Sequence, residues 1–307
     1  MDALVILGAT GTGKSDLALE LAGNLGVEIV SVDSRQIYKR IDIGTSKPTR
    51  AQRDAVPHHM IDLLELDERI NASLFACIVE NTIEEIISRD KLPVLVGGSG
   101  LYFRAIFEGL FDISLDEEDR AEFAESIKDT ATNALYEELC KVDPDSGDRI
   151  HPNDRYRISR ALEVHNLSGT TLSEHILRHK SSSDTGKRSY LKIGIRLKRE
   201  ELYERIDRRT VFMIENGWVE EVGDLLDSGF SPSCPGLKTL GYPEVISYVQ
   251  GEIERDMMIN TIQRLTRQYA KRQETWFRSE ADVTWFDAHG ESLAEKVISA
   301  VTRGRDV

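Results

Sequence analysis

Short apolar runs alternate with helical periodicities through the first hundred residues. Residues 4–7, 28–32 and 93–96 are brief, rich in β-branched side chains and bounded by Gly, Asp or Pro, as buried parallel strands tend to be. Between them, residues 14–25 and 71–89 carry apolar positions at helical spacing, which predicts βαβ units in a parallel sheet with helices on both faces. From about residue 113 to 187 the strand signal disappears, and helical patterns dominate at 119–129, 132–142 and 154–167. The polar tract 181–186 reads as a loop. LKIGIRL at 191–197 returns as a strand, long helices follow around 199–216, 219–227 and 257–278, and 283–286 looks like a last strand. The expected fold class is therefore α/β: residues 1–112 and 188–307 build a parallel-sheet core flanked by helices, and 113–187 form an inserted all-helical domain.

Composition narrows the class. With 307 residues, 40% hydrophobic and 30% charged, the chain is globular in character and long enough for one large or two ordinary domains. No apolar run approaches the roughly 20 residues that span a bilayer, and Met1-Asp2-Ala3 lacks the basic flank of a signal peptide. No membrane partner and a cytoplasmic location are expected. Cys77, Cys140 and Cys234 lie far apart, which argues against a disulfide framework or a zinc site. The net charge of −14 is unevenly spread: residues 149–209 hold 15 Lys+Arg against 8 Asp+Glu, while 112–138 hold ten acids and two bases. Such segregation suits one face for a polyanion, or simply solvated charged helices.

Candidate chemistry begins at Gly8-Ala9-Thr10-Gly11-Thr12-Gly13-Lys14-Ser15, a complete G-x-x-x-x-G-K-[ST] phosphate loop. An apolar strand precedes it and an amphipathic helix follows, so the core is a P-loop core. Its glycines let backbone N–H groups converge on phosphate oxygens, aided by the positive helix N-terminus. Lys14 adds a mobile charge, and the Ser15 hydroxyl is placed to ligate Mg²⁺, the expected cofactor. The loop alone does not say which phosphate compound it grips.

Neighbouring strand ends decide more, because ligands of open parallel sheets bind beyond the C-terminal strand ends. Asp33, within VDSRQIY, would face the crevice beside the loop, or else Asp33 or Ser34 caps the next helix. Gly97-Gly98 stand where a nucleotide triphosphatase would carry an Asp, which counts against simple NTP hydrolysis and allows a close approach.

GATGTGKS, VDSRQIY followed by DIGTSKP, PHHMID, VGGSGLYF, IHPNDRYRISRALEV, LKTLGYPE and TRQYAKRQETWFR together resemble the tRNA dimethylallyltransferases of bacterial type, the isopentenyl-tRNA transferase family. The resemblance runs from Leu4 to Arg278. It implies transfer of a dimethylallyl group from dimethylallyl diphosphate to N6 of adenosine 37, beside the anticodon of certain tRNAs. The loop, Gly8 to Ser15 with Arg209, would then hold a departing diphosphate, with Lys14 stabilising its charge and Asp33 taking the N6 proton. Thr10 and Thr12 could add hydroxyl donors.

The same resemblance assigns tRNA contacts at the anticodon stem-loop to Asp33, Ser34, Arg35, Gln36 and Ser99. It extends them to Tyr156, Arg157, Ile158, Ser159 and Arg160, to Lys238, Thr239, Leu240, Gly241, Tyr242 and Pro243, and to Arg120. Arg205 lies four residues before Arg209 on a helix, and Arg264, Arg267, Lys271 and Arg278 recur at helical spacing as one basic stripe, suited to an A-form backbone. His58 and His59, adjacent on a strand, point to opposite faces, and Trp218, Trp276 and Trp285 read as core. A monomer is expected. Two alternatives stay open: a P-loop kinase of nucleosides or other small molecules, and an RNA-binding module with a degenerate loop.

Overall fold

The computed structural model describes residues 1–109, 116–182, 188–290 and 292–305. Two compact units emerge, Met1–Ile106 with Arg188–Val307, and Phe107–Lys187. The division after Ile106 falls within helix Gly100–Glu108. Residues 110–115, where the sequence put that division, lie outside the described residues.

The first unit is built on six strands: β1 (Ala3–Leu7), β2 (Val27–Val32), β3 (His58–His59), β4 (Leu92–Gly97), β5 (Tyr190–Arg196) and β6 (Val283–Asp287). They pair in the order β3-β2-β4-β1-β5-β6, every pair parallel. Every residue of β1, β2 and β4 is buried, as expected when helices cover both faces of a parallel sheet. Leu4 and Ile6 pack with Leu17 and Leu21 of helix Lys14–Ala22 and with Val297 and Val301 of helix Leu293–Arg305. β3 is the strand expected at His58 and His59. It is two residues long and too short to show periodicity, and is held by Ile29 and Val30 of β2.

The long helix expected over 199–216 breaks. Arg199–Met213 passes into a wider turn at Ile214–Trp218, where Asn216 and Gly217 leave helical geometry and Gly217 has φ of 102°. Helix Val219–Asp227 follows. The break turns Trp218 inward to 1% exposure. It packs edge-on against Tyr242, with ring centroids 5.5 Å apart. Trp276 and Trp285 are only half-buried. Each lies where a glycine, Gly100 or Gly194, leaves room for the indole.

Among its described residues the second unit is wholly helical: Glu117–Ser126, Thr132–Val142, Pro144–Arg149, Arg155–Ser168 and Leu172–Ser182. Leu135, Leu139, Ile158, Ala161 and Leu162 form its core. Asp154 caps Arg155–Ser168 through the Arg157 amide. Buried Asp143 accepts from the amides of Ser146 and Ser173 and from the Ser173 hydroxyl, at 2.6–3.0 Å, stitching two helix starts together. Residues 181 and 182, expected in a loop, end the last helix; 183–186 lie outside the described residues.

Candidate active site

Loops leaving the C-terminal ends of β1, β2 and β4 open onto a cleft of about 450 Å³ in the first unit. Thr10, Gly11, Gly13, Lys14 and Ser15 line it, as do Asp33 and Arg209. Gly11 and Gly13 have φ of 83° and 88°, a region open to glycine at little cost. Gly8 and Ala9 lie behind the lining; a Cβ on Gly8 would meet the Ile195 carbonyl oxygen at 2.5 Å. Thr12 is buried, and its hydroxyl donates to Ala9 O at 2.9 Å. It therefore braces the loop, where the sequence offered it as a donor to the ligand.

Lys14 Nζ donates to the same carbonyl, Ala9 O, at 2.7 Å. Burial, and then the neighbouring Arg209 guanidinium, lower its pKa from 10.5 to about 7, with Asp33 pulling the other way. Two cations held so close favour an anion between them. Arg209 is fixed by Nη1 donating to Thr10 Oγ1 at 2.8 Å and Nε to Ser46 Oγ at 3.1 Å. Arg205 also lines the cleft, bridged to Glu201 at 3.5 Å.

Asp33 follows β2 in a tight turn. Its Oδ1 accepts the Arg35 amide at 2.8 Å, an Asx turn. It caps that turn and no helix, and Oδ2 accepts no hydrogen bond among the described residues. The Ser34 amide donates to Ser99 Oγ. Gln36 is committed elsewhere: Ser31 Oγ donates to its Oε1, and its Nε2 donates to the carbonyls of Thr45 and Ser46. With both ends of its amide in use, it bolts the segment 42–48 over the cleft. Lys47 in that segment is buried, and its Nζ donates at 2.6 Å to Tyr38 O and to carboxylates of Asp42 and Asp62.

Three positions that sequence reasoning left without a role shape the site. Gln273, 6% exposed, accepts the Thr10 amide and donates to Gly98 O. Glu221 accepts the amides of Asp42 and Ile43 at 2.7 Å and the Tyr242 hydroxyl at 2.6 Å. Tyr269 lines the cleft, and burial, then Asp33, raise its phenol to about 12. The resemblance segment TRQYAKRQETWFR contained two of them, but nothing in a polar helix marks which residues turn inward. The histidines part as expected: His58 lines the cleft, and His59 Nε2 lies 2.7 Å from buried Glu28.

The residues assigned to tRNA separate by exposure. Lys238 and Pro243 are exposed and Leu240 is half-buried, while Thr239, Gly241 and Tyr242 are buried. In the second unit Tyr156 is 82% exposed and Arg157 is exposed, whereas Ile158 is core. Arg120 and Arg160 come together on one carboxylate, Glu163, at 2.8 and 2.6 Å. Much of the basic excess is internal. Arg155 donates to the carbonyls of Thr130, Ile127 and Lys128, and Lys192 pairs with Glu280 at 2.5 Å. Arg267 of the supposed stripe grips Asp207 with two bonds at 2.5 and 2.7 Å; Arg264, Lys271 and Arg278 are exposed.

A phosphate loop after β1, a carboxylate two strands over after β2 and glycines at the end of the intervening β4 line one α/β cleft of transferase type. The IPP transferase family model matches residues 36–280, and the chain belongs to that family. It is 41% identical to tRNA dimethylallyltransferase 1 of Syntrophotalea carbinolica, over 94% of this chain and 91% of that protein. It is 44% identical to tRNA dimethylallyltransferase 1 of Citrifermentans bemidjiense, over 94% and 92%. Its fold matches the crystal structure of full-length tRNA isopentenylpyrophosphate transferase from Bacillus halodurans with a TM-score of 0.71 and 36% identity, covering 98% of this chain and 96% of that one. It also matches a eukaryotic dimethylallyltransferase studied acting on tRNA, with a TM-score of 0.78 and 28% identity, covering 98% and 77%.

Proposed function

We infer that this chain is a tRNA dimethylallyltransferase: it transfers the dimethylallyl group of dimethylallyl diphosphate to N6 of adenosine 37 in tRNA and releases diphosphate. The observation that carries the reading is the single cleft lined by both Lys14 and Asp33, with Gly97-Gly98 where a triphosphatase would place its Asp. The kinase alternative is not favoured by the family match or by the relatives' names.

Chemically, N6 attacks the allylic carbon, the C–O bond breaks, and its electron pair leaves on diphosphate. The N6 proton passes to Asp33, whose Oδ1 is held by the Arg35 amide while Oδ2 stays available. Adenine N6 is a poor nucleophile because its lone pair is delocalised, so removal of its proton matters; a positioned base contributes about 10²–10⁴-fold. Loop amides, Lys14 and Arg209 stabilise the charge that develops on the leaving group. The target base leaves its stack to reach the cleft, and Arg35, which follows Asp33 in the same turn and has no ion pair among the described residues, is assigned to the RNA.

Among the described residues no cluster of three His, Cys, Asp or Glu could hold a metal. The exposed Ser15 hydroxyl, lining the cleft, is a hard oxygen donor that fits a Mg²⁺ shared with substrate phosphates. When bound there, Mg²⁺ supplies a Lewis acid that offsets diphosphate charge. Tyr156 and Arg157 in the second unit, and Lys238 with the exposed Arg264, Lys271 and Arg278 in the first, are the exposed candidates for tRNA contact in each. A tRNA substrate supports a cytoplasmic location. No described helix is long and apolar enough to cross a membrane.

The test is incubation with labelled dimethylallyl diphosphate, Mg²⁺ and unmodified tRNA transcripts carrying adenosine at position 37. Label is expected in RNA. Absence of transfer, together with tight ATP binding in titration calorimetry, would overturn the reading.

A further inference from the structure

Gln273 lies on helix Arg255–Phe277, among residues whose charges suggest a solvated face, yet it is 6% exposed. Its carboxamide joins the loops that leave the neighbouring strands β1 and β4. Oε1 accepts the Thr10 amide and Nε2 donates to Gly98 O, each at 2.8 Å. A Cβ on Gly98 would sit 2.2 Å from that Nε2, so the approach depends on the missing side chain. A neutral carboxamide offers an acceptor and a donor at once.

Both contacts lead onward to chemistry. Thr10 receives Arg209 at its hydroxyl, so the first bond fixes the phosphate loop together with its extra cation. Gly98 directly precedes Ser99, whose Oγ accepts the Ser34 amide next to Asp33. The Thr10 amide is also withdrawn from the set that faces an anion, which shapes the loop around fewer, better-aimed donors.

We propose that Gln273 is a positioning residue that sets the separation between the diphosphate cradle and the base Asp33. This rests on the transferase reading above. Near-attack geometry is sensitive to displacements of about 1 Å, and Gln273 is the one side chain in hydrogen-bond contact with both loops among the described residues.

Gln273→Glu gives the decisive test because its two protonation states differ in this role. As a carboxylate it accepts from Thr10 but faces Gly98 O with no proton, and it adds negative charge beside the cradle. As a carboxylic acid it restores both bonds, and burial raises the pH at which this occurs. Single-turnover prenyl transfer is measured for wild type, Gln273→Glu and Gln273→Met at pH 6 and pH 8, with tRNA affinity and Tm alongside. Relative to wild type at each pH, Gln273→Glu is expected to be slower by about tenfold to a hundredfold at pH 8 and to recover at pH 6. Gln273→Met, uncharged and equally long, is expected to be slowed at both, with tRNA affinity unchanged. Wild-type rates for Gln273→Met, or the same Gln273→Glu deficit at both pH values, would overturn the assignment. Failure of the wild type itself to transfer would instead sink the transferase reading, and this one with it.

Discussion

The Ser34 amide donates to Ser99 Oγ at 3.2 Å, tying the turn that carries Asp33 to the end of β4. Ser99 is 9% exposed, so losing its oxygen leaves a part-buried N–H without a partner. Ser99→Ala is expected to slow single-turnover transfer about tenfold, while Ser99→Thr, which keeps the hydroxyl, stays near wild type. Rapid-quench assays with saturating substrates decide between them.

Asp33→Asn removes the proton acceptor but keeps the shape of the Asx turn. Turnover should fall by at least about a hundredfold with tRNA affinity retained in filter binding. Near-normal turnover would reject the base assignment.

Lys14 is predicted to make diphosphate binding depend on pH. Its pKa in the free protein is lowered to about 7, and a bound dianion raises it again. Above pH 7 the lysine must take up a proton to bind, so affinity for dimethylallyl diphosphate falls with rising pH, by up to about tenfold per unit. Calorimetry in buffers of different ionisation enthalpy should report uptake approaching one proton near pH 8. Lys14→Arg, always charged, should lack the slope.

The basic residues of helix Arg255–Phe277 and its C-cap Arg278 should behave in two ways. Arg264→Ala, Lys271→Ala and Arg278→Ala are each expected to lower the slope of log affinity for tRNA against log salt by about 1, without changing Tm. Arg267 is held by Asp207, so Arg267→Ala should leave the slope alone and cost about 1–2 kcal/mol of stability. Salt titrations and urea melts separate the groups.

Lys47 should matter for folding. Its side chain is 1% exposed with three acceptors around Nζ, so Lys47→Ala leaves Tyr38 O without its donor, leaves Asp62 to Arg53 alone and loosens the segment over the cleft. A loss of about 3 kcal/mol is expected, read as a drop in urea midpoint.

What the sequence showed follows from what burial writes into it. β1, β2 and β4 are buried on both faces, so they appear as continuous apolar runs, and the loop glycines appear because backbone needs them. Gly97 and Gly98 were legible as a close approach; the structure supplies the neighbours, Val32 O at 2.0 Å and Gln273 Nε2 at 2.2 Å from a notional Cβ. Helix Arg50–Ala55 was missed because it has no buried residue, though its Thr49 to Gln52 capping box was there to be read. Gln273, Glu221 and Gln36 were invisible as bolts. A polar side chain that turns inward to satisfy a distant backbone looks, in one dimension, like one that faces water. For the same reason counts along the chain overstated free positive charge, since Arg120–Glu163, Arg267–Asp207 and Lys192–Glu280 pair residues far apart in sequence.

The bond between Thr10 and Gln273 spans 263 positions, and that span has a consequence for synthesis. At about 5–20 residues per second, some 10–50 s pass between the appearance of one partner and the other on the ribosome. Through that interval the nascent chain carries a complete phosphate-loop motif without its brace, and for about the first three-quarters of it without Arg209. The braced geometry is thus complete only once helix Arg255–Phe277 has been made, so a fragment released before it is expected to hold the prenyl donor less well than the whole chain.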